Sequence, residues 1–431
     1  MQTVGRMVHA LRHRGPDDAS VLDGGRITLG HTRLAVIDME GGSQPMASVD
    51  GRLWIVANGE IYNHVELRGE LRLLGHRFAT RCDTEVLLAA YREWGTELVH
   101  HLNGQWAFAL WDRDIERVLL SRDPLGIRPL YHTRVGDALL FASEIKALMC
   151  DLRVPRRFRP WGLAESFMLW APQPDRSVFE NIEQLPPGAI GILRQGEPEL
   201  QIRKYWYPEF TATVPYPASV EATHPDNADL DELAARLRSA LTQAARLRFL
   251  RSDVPVGVYI SGGLDSAILA SVLAQGGTRY SAFSIGFEDA EFDETREQDI
   301  LADHLGISVD RLSVSRADVE RLFPDAVLHA EQPVLRTAAA PLMLLARHAR
   351  DHGRWVVLTG EGADELFGGY DLFREHLLRR SMVGSDGTPP TVSGLYDWQA
   401  RSPLSNPELA RMYFDRSHDV SGPCASHIRR W

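Results

Sequence analysis

Residues 255–275, PVGVYISGGLDSAILASVLAQ, decide the fold of the second half of the chain. The apolar run Pro255–Ile260 predicts a strand, Ala267–Gln275 predicts a helix, and a Ser/Gly loop joins the two. The two glycines let the backbone approach a ligand without a Cβ in the way, and the helix start offers free N–H groups and a positive dipole end to an anion. The loop is therefore predicted to hold a pyrophosphate group.

An acid inside this loop indicates a metal ion. Asp265 stands among groups that bind anions, an arrangement that makes sense when Mg²⁺ bridges the carboxylate to phosphate. The lysine of a Walker A loop is missing, so the loop is of another type. The competing interpretation is a plain strand–turn–helix corner, which the full run with Asp265 and Ser266 disfavours.

A second glycine-rich loop follows a later strand. Residues 356–365 read VVLTGEGADE, an apolar run that ends in an acidic turn. In a doubly wound sheet both loops open on the same edge, so Glu361 and Asp364 are expected to face the nucleotide. Acids beside phosphates again imply Mg²⁺, or polarisation of an amine nucleophile. A solvated acidic turn is the alternative interpretation.

Strands and helices alternate on both sides of the first loop. This rhythm predicts a parallel, doubly wound α/β sheet, with its ligand crevice at the carboxyl ends of the strands. Leu230, Leu233, Leu237 and Leu241 recur at helical spacing and predict an apolar helix face. The remaining predicted elements are the strands Tyr280–Phe287, Ser308–Val314 and Trp355–Leu358 and the helices Glu294–Leu305, Ala317–Ala330 and one through Leu345.

The first half has a different pattern, in which short strands dominate and few helices intervene. Strands bunched in this way favour mainly antiparallel sheets covered by helices. Two helical patterns interrupt the strands, at His64–Leu74 and Thr84–Trp94. The predicted strands are Arg26–His31, Arg33–Asp38, Leu53–Ala57, Trp106–Trp111, Arg117–Ser121 and Ala138–Ala142.

Polar residues in the first half match the needs of an amino-acid amide. Such a substrate requires an acid for its ammonium, an arginine for its carboxylate and donors for the oxyanion formed on attack. Asp83, Arg33 and the Asn58 side chain with the Gly59 N–H supply these groups. Each also has an ordinary structural interpretation: a helix N-cap for Asp83, an ion pair for Arg33 and a hairpin turn for Asn58-Gly59.

The composition excludes several classes of protein. The 431 residues carry 47 Lys and Arg against 58 Asp and Glu, a net charge of −11, which argues against nucleic acid or an anionic membrane as a partner. No apolar run approaches the ~20 residues of a membrane span, and the start resembles no secretory signal. Cys82, Cys150 and Cys424 are too scattered for a disulfide framework. A cytoplasmic protein is expected.

Taken together, the motifs resemble those of the glutamine-dependent asparagine synthetases. The second half carries SGGLDS and GEGADE, and the first half carries RHRGPD, NGEIYN and RDPLGIRPLY. The resemblance implies an N-terminal Ntn-type αββα glutaminase sandwich followed by a doubly wound parallel α/β ATP-pyrophosphatase domain. We predict the first domain at residues 1–207, a linker at 208–228, the second domain at 229–380 and an unassigned tail at 381–431.

The resemblance also implies roles for individual residues, with ATP and Mg²⁺ as cofactors and a possible homodimer. Asn58 and Gly59 would form the oxyanion hole, and Glu361 would assist formation of a β-aspartyl-adenylate. Asp265 and Asp364 would lie by the metal, and Arg336 is a weaker candidate for substrate or phosphate. The glutamine pocket would comprise Arg33, Leu34, Ala35, Val36, Ile37, Asn58, Gly59, Glu60 and Asp83. The ATP site would comprise Ile260, Ser261, Gly262, Gly263, Leu264, Asp265, Ser266, Ile285, Thr359 and Gly360.

The chain departs from the family pattern at both ends. Family members begin Met-Cys-Gly and use the freed cysteine as nucleophile, whereas this sequence begins Met1-Gln2-Thr3. Either the true start lies upstream or glutamine hydrolysis is lost in this chain. The only two lysines, Lys146 and Lys204, precede the linker, so the lysine that the family uses at the adenylate is not in the second half.

Three functions fit these observations. The first is ATP-dependent amidation of aspartate to asparagine, with ammonia from glutamine or free ammonia, and with the glutaminase step expected to be lost in the chain as written. The second is amide formation on a peptide or natural-product carboxylate, because the nucleotide motifs bind ATP rather than the acid. The third is a non-catalytic remnant that binds nucleotide or glutamine.

Overall fold

The computed structural model describes residues 1–197, 199–209, 227–370 and 373. The chain forms two compact units, one of residues 1–214 with 225–361 and one of residues 215–224 with 362–431. Most of the predicted linker 208–228, the end of the domain predicted at 229–380 and the whole tail 381–431 lie outside the described residues. The domain boundaries therefore stay predictions.

The first half of the larger unit contains eleven strands, five α-helices and a 3₁₀ helix at Gly95–His100 among its described residues. The helices are α1 Gln2–Ala10, α2 His64–Leu73, α3 Asp83–Trp94, α4 Ile145–Leu148 and α5 Pro160–Leu169. The strands are β1 Asp18–Asp23, β2 Thr28–Arg33, β3 Met46–Ala47, β4 Leu53–Ile61, β5 Gly104–Asp112, β6 Arg117–Arg122, β7 Tyr131–Val135, β8 Ala138–Ala142, β9 Ile182–Gln184, β10 Ala189–Arg194 and β11 Gln201–Lys204.

These elements stack in four layers. A six-stranded antiparallel sheet, in the order β11-β10-β6-β5-β4-β3, packs one face against α2 and α3 through residues such as Ile55, Leu71 and Val86. Its other face packs on β2 and β8 through Leu29 and Phe141. Helices α1 and α4 cover the outer side of the three-stranded sheet β8-β7-β9. This arrangement confirms the predicted αββα sandwich.

The predicted strand Arg33–Asp38 is wrong. Strand β2 ends at Arg33, and the segment after it is irregular, with Asp38 in the left-handed region at φ +50°. Its backbone groups bond to scattered partners and not to a neighbouring strand: the Ala35 N–H donates to the Asp17 carboxylate at 2.8 Å, and the Val36 carbonyl accepts the Asp253 N–H at 2.9 Å. The predicted strand at Leu53–Ala57 exists but continues to Ile61, because Asn58 to Ile61 pair with β5.

The second half of the larger unit alternates strands and helices, as predicted. Its helices are α6 Asn227–Leu250, α7 Leu264–Gln275, α8 Thr295–Leu305, α9 Arg316–Ala330 and α10 Ala339–Asp351. Its strands are β12 Val256–Tyr259, β13 Ser281–Phe287, β14 Val309–Val314 and β15 Val356–Leu358. All the strand pairs are parallel and the order is β14-β13-β12-β15, which confirms the doubly wound sheet.

The strand order fixes where a ligand crevice lies. The chain winds outward from β12 to β13 and β14 and then returns to β15 on the other side of β12. The order therefore reverses between β12 and β15, and ligands of such sheets bind beyond the carboxyl ends of the strands at that point. Both glycine-rich loops follow these two strands, since β12 leads to Ser261 and β15 leads to Thr359.

Helix α6 differs from the prediction in its packing. Leu230, Leu233 and Leu237, expected on a core-facing side, are exposed. The buried contact comes from the other end of the helix, where Ala245 joins the core of the parallel sheet. Helical spacing thus predicted the helix correctly, although the spacing cannot say which turns have a partner.

The smaller unit is described only from Gly362 to Tyr370 and at Phe373. Its one described helix is α11 Ala363–Phe367. The Tyr370 hydroxyl lies 2.8 Å from the Glu365 carboxylate. Within the described parts of both units, no helix is both long enough and apolar enough to cross a membrane.

Candidate functional site

The loop between β12 and α7 is held in shape by two serines. The Ser266 hydroxyl, on the first turn of α7, lies 2.9 Å from the Ser261 hydroxyl and accepts the Ser261 N–H at 3.1 Å. The Ser261 hydroxyl in turn accepts the Gly263 N–H at 3.2 Å. Ser266 is buried, whereas Ser261 is exposed at the surface of the loop. The SGGLDS sequence therefore forms a preorganised turn at a helix start, the arrangement that binds phosphate.

The two glycine-rich loops touch each other. A Cβ at Gly360 would lie 2.9 Å from the Asp265 Cβ and 3.0 Å from the Ser266 nitrogen. Real side chains do not approach this closely, so only glycine allows the loop after β15 to rest against the first turn of α7. The structure thus joins the two loops at the switch point of the sheet, as the sequence predicted.

A carboxylate already bonds to the loop. Glu294, the N-cap of α8, accepts the Gly262 N–H at 2.8 Å. An acceptor oxygen at this N–H marks a position where a phosphate oxygen would also bind. Sequence reasoning did not select Glu294, because its distance along the chain from the loop gives no local signal.

The other predicted nucleotide residues lie around these loops. Ile260 is buried in the sheet core directly before the loop, and Ile285 lies in the neighbouring strand β13. Among the described residues, none donates a hydrogen bond to the Asp265 carboxylate, which leaves both oxygens for a cation. Asp364 lies on α11 in the smaller unit, and its pairing with Asp265 stays a prediction.

The amide-handling residues gather at the end of β4. Asn58, Gly59 and Glu60 pair with β5, so they belong to a strand and not to the hairpin turn of the alternative interpretation. Gly59 has φ +151°, and a Cβ there would collide with the Gln105 carbonyl and lie 2.7 Å from the Trp106 Cα. Only glycine fits at this position, where β4 and β5 lie side by side.

Two polar groups at this strand end lack partners. The Nδ2 of Asn58 and the Oε1 of Glu60 are buried without a hydrogen bond from any described residue. Burial, with the nearby charge of Asp83, raises the pKa of Glu60 to about 7. A buried unpaired donor beside a buried unpaired acceptor is what a polar ligand would satisfy.

Asp83 connects this strand to α3. One oxygen of the buried carboxylate accepts the Ile61 N–H at 2.9 Å, and the other accepts the Thr84 N–H at 3.0 Å. Asp83 is the first residue of α3 and Cys82 is the N-cap, so the N-cap interpretation of Asp83 is off by one residue. Asp83 and Glu60 thus place two carboxyl groups at this end of β4, and carboxylates are the usual partners of an ammonium group.

Arg33 is committed to its own segment. The buried guanidinium donates to the carbonyl oxygens of Met39 at 3.0 Å and Asp38 at 2.6 Å, and also to that of Ile37. These bonds hold the irregular segment that contains Leu34, Ala35, Val36 and Ile37. They replace the ion pair of the alternative interpretation, and the role of Arg33 toward a substrate carboxylate stays a prediction.

Cys82 is near this cluster but is a poor nucleophile. A Cβ at Gly42 would lie 3.1 Å from its sulfur and 2.9 Å from the Arg33 Cζ, so both side chains pack against this glycine. Burial, with the nearby charge of Asp83, raises the pKa of the Cys82 thiol to about 12, so the reactive thiolate is scarce at neutral pH. The other described cysteine, Cys150, directs its sulfur toward the backbone oxygens of Arg6 and Lys146.

Two further cations reach the amide cluster and were not assigned roles from sequence. Arg128, in the RDPLGIRPLY run, is half-buried, and its buried Nε has no partner among the described residues. Arg248 on α6 lies over the Tyr62 ring at 4.4 Å. Both oppose the rise of the Glu60 pKa, so each is close enough to act on that carboxyl. Arg336, the weaker phosphate candidate, instead stacks on Trp170 at 4.0 Å.

The antiparallel sandwich and the parallel sheet correspond to two different family models. The family model described as "Glutamine amidotransferase domain" matches residues 1–206, and that described as "Asparagine synthase" matches residues 236–420. The chain belongs to the family of glutamine-hydrolysing asparagine synthetases.

Several curated proteins are similar over most of the chain. Asparagine synthetase [glutamine-hydrolyzing] 1 of Bacillus subtilis is 35% identical over 379 residues, 87% of this chain and 57% of the relative. Asparagine synthetase [glutamine-hydrolyzing] 3 of the same species is 36% identical over 421 residues, covering 93% and 66%. Amidase chyE of Penicillium rubens is 32% identical and covers 85% and 54%. The chain thus spans 54–66% of the length of these relatives.

Proposed function

We propose that the chain amidates aspartate to asparagine at the expense of ATP. An oxygen of the aspartate side-chain carboxylate attacks the α-phosphorus, pyrophosphate leaves, and a β-aspartyl-adenylate forms. Ammonia then attacks the acyl carbon, AMP leaves with the carboxylate oxygen, and a proton is released. The names of the curated relatives support this reaction, and so does the asparagine synthase match.

One observation carries the proposal: the contact of Gly360 with Asp265 and Ser266. It brings the loops after β12 and β15 together where ligands of doubly wound sheets bind. A nucleotide held there would place its phosphates on the loop N–H groups, and its adenine and ribose beside Ile260, Ile285, Thr359 and Gly360.

The proposed division of work among the loop residues follows from their chemistry. The N–H of Gly262, after displacement of the Glu294 carboxylate, would bind a phosphate oxygen together with the Ser261 hydroxyl. Asp265, whose carboxylate has no donor among the described residues, would ligate Mg²⁺, whereas a metal role for Asp364 stays a prediction from the sequence. Mg²⁺ would neutralise charge on the leaving pyrophosphate. Glu361 directly follows Gly360, and we propose that it assists adenylate formation.

For the first domain we propose glutamine binding at the end of β4. The unpaired Asn58 amide would donate to the substrate carbonyl, and the acids Glu60 and Asp83 would bind the ammonium. Burial raises the pKa of the Cys82 thiol, so we propose no nucleophilic role for Cys82 and propose ammonium as the nitrogen source of the synthase reaction. We further propose a cytoplasmic location, because the reaction consumes ATP, and a homodimer, as the family resemblance suggests.

The experiment is a paired turnover assay on the purified chain. Aspartate and MgATP are supplied with ammonium or with glutamine, and asparagine, AMP and pyrophosphate are quantified. We expect all three in equal amounts from ammonium and none from glutamine. Pyrophosphate only in the presence of another carboxylate would replace aspartate as the substrate, and ADP with phosphate would overturn the adenylate.

A matched pair of variants tests the metal role. Asp265→Asn should raise the Mg²⁺ concentration needed for half-maximal turnover about tenfold or more, because one carboxylate ligand is lost. The control Asp303→Asn removes an equal charge from exposed helix α8 and should leave that requirement unchanged. Equal shifts in both variants would contradict the role of Asp265.

A further inference from the structure

Three potential metal ligands meet on the face of the parallel sheet that α10 covers. Asp310 is the second residue of β14, and His348 and His352 lie four residues apart at the C-terminal end of α10. This spacing places both imidazoles on one side of the helix. One ligand atom from each residue lies within 4.8 Å of the other two.

Both imidazoles turn their Nε2 atoms to the same carboxylate. The Nε2 of His348 lies 2.8 Å from Oδ1 of Asp310, and the Nε2 of His352 lies 3.2 Å from Oδ2. The two rings are 4.4 Å apart between centroids. The Phe283 ring, edge-on to His348 at 6.0 Å, supports that imidazole from the sheet.

The tautomer of His352 follows from a backbone contact. Its Nδ1 lies 2.8 Å from the carbonyl oxygen of His348, and a carbonyl only accepts, so Nδ1 must carry the hydrogen. In the neutral ring the Nε2 is then a bare lone pair that faces the Asp310 carboxylate. Two lone-pair donors face each other stably only with a cation between them, either a second proton on the ring or a metal ion.

We propose that Asp310, His348 and His352 bind a divalent transition metal, with Zn²⁺ as the preferred ion. Two imidazole nitrogens and one carboxylate oxygen are the donor types that zinc takes, at ~2.0–2.2 Å. The hydrogen bond from His352 Nδ1 to a backbone carbonyl is the second interaction that ligand histidines ordinarily make, and it orients the ring. About half of the His352 side chain is exposed, so water can complete the coordination.

The site is separate from the proposed nucleotide loops. Helix α10 packs on the sheet face that carries Phe283, whereas α7 packs on the opposite face through Ala270 and Leu273. Asp310 belongs to β14, the edge strand, with β13 between it and β12. A metal there would join α10 to the edge of the sheet, so we assign it a stabilising role and not a part in phosphate chemistry.

The test is metal titration of the untagged 431-residue chain after removal of metals with a chelator. Zn²⁺ is followed by calorimetry, and Co²⁺ by its visible absorption, which is strong only at low-coordinate sites with such donors. We expect the His348→Gln/His352→Gln variant to bind one Zn²⁺ fewer than the unmodified chain and to lose the Co²⁺ band. Asp310→Asn should weaken Zn²⁺ binding about tenfold or more.

The control His304→Gln removes an exposed histidine of α8 and should leave the titration unchanged. Zn²⁺ should also raise the melting temperature of the unmodified chain and of this control, but not that of the double variant. Circular dichroism of the metal-free variants establishes whether each is folded. If the double variant is not folded, Asp310→Asn takes its place, because asparagine keeps the shape of the aspartate side chain. Equal Zn²⁺ stoichiometry in the unmodified chain and the folded double variant, or an unchanged Zn²⁺ affinity in Asp310→Asn, would overturn the proposal, leaving a protonated histidine pair on Asp310.

Discussion

The close contact between the two glycine-rich loops makes Gly360→Ala a sharp test of the nucleotide site. The added methyl group would stand 2.9 Å from the Asp265 Cβ and 3.0 Å from the Ser266 nitrogen. Neither neighbour is the free end of a flexible side chain, because both belong to the first turn of α7. The loop after β15 must therefore move away from the phosphate loop.

The magnitude follows from the cost of overpacking. Inserting one methyl group into a tight contact costs about 1–3 kcal/mol. Because the loops already touch in the structure, this displacement distorts the proposed nucleotide site, and each ~1.4 kcal/mol of lost binding free energy weakens ATP binding tenfold. We therefore expect the KM for ATP to rise roughly 5- to 150-fold in the ammonium-dependent reaction.

The assay measures pyrophosphate release against ATP concentration at saturating aspartate and ammonium. Gly69→Ala on α2 is the matched control, because no atom lies within 4 Å of its added Cβ and alanine favours a helix by about 1 kcal/mol. It should leave the KM for ATP unchanged. An unaltered KM in a folded Gly360→Ala variant would refute the placement of both loops at the nucleotide.

Three further substitutions test the first domain and its attachment. In urea denaturation, Glu60→Gln should have the same free energy of unfolding as the unmodified chain at pH 4.5 and exceed it by on the order of 2 kcal/mol at pH 8. The reason is that the folded state raises the pKa of Glu60 from 4.5 to about 7, so the unmodified chain loses stability as the pH rises through that window. A pH-independent difference would contradict the burial of that carboxyl. Glu331→Ala should cost on the order of 3 kcal/mol by the same method, because its carboxylate accepts both backbone N–H groups at the start of α4, at 2.6 and 2.7 Å; the exposed Glu320→Ala is its control. Gly59→Ala should lower the free energy of unfolding by more than about 3 kcal/mol, because its Cβ would meet the backbone of β5 at a positive φ. A folded variant of unchanged stability would show that β4 and β5 are less tightly packed at this position than described.

Much of the second domain was predictable from sequence because its elements are long and periodic. The alternation of strands and helices identified every strand of the parallel sheet to within about two residues. The loop SGGLDS lies where a strand-to-helix turn was expected. Periodicity did not show which helix faces pack against another element: the exposed leucines of α6 have the same spacing that buried leucines have.

The first domain was predicted less completely, since short elements carry weak periodic signals. Helices α1 and α5 and the short α4 were missed, and Arg33–Asp38 looked like a strand because residues 34–37 are a continuous apolar run. The burial of an arginine that binds three carbonyls of its own segment decides otherwise. Contacts distant in sequence, such as Glu294 with Gly262, could not be predicted because no local pattern encodes them.

The central claim is that an aspartyl-adenylate forms at the two loops, and an isotope transfer tests it most directly. Aspartate labelled with a heavy oxygen isotope in its side-chain carboxylate is turned over with ATP and ammonium, and the products are weighed by mass spectrometry. The account predicts one labelled oxygen in each AMP formed and none in pyrophosphate. Unlabelled AMP, or label in inorganic phosphate, would contradict it.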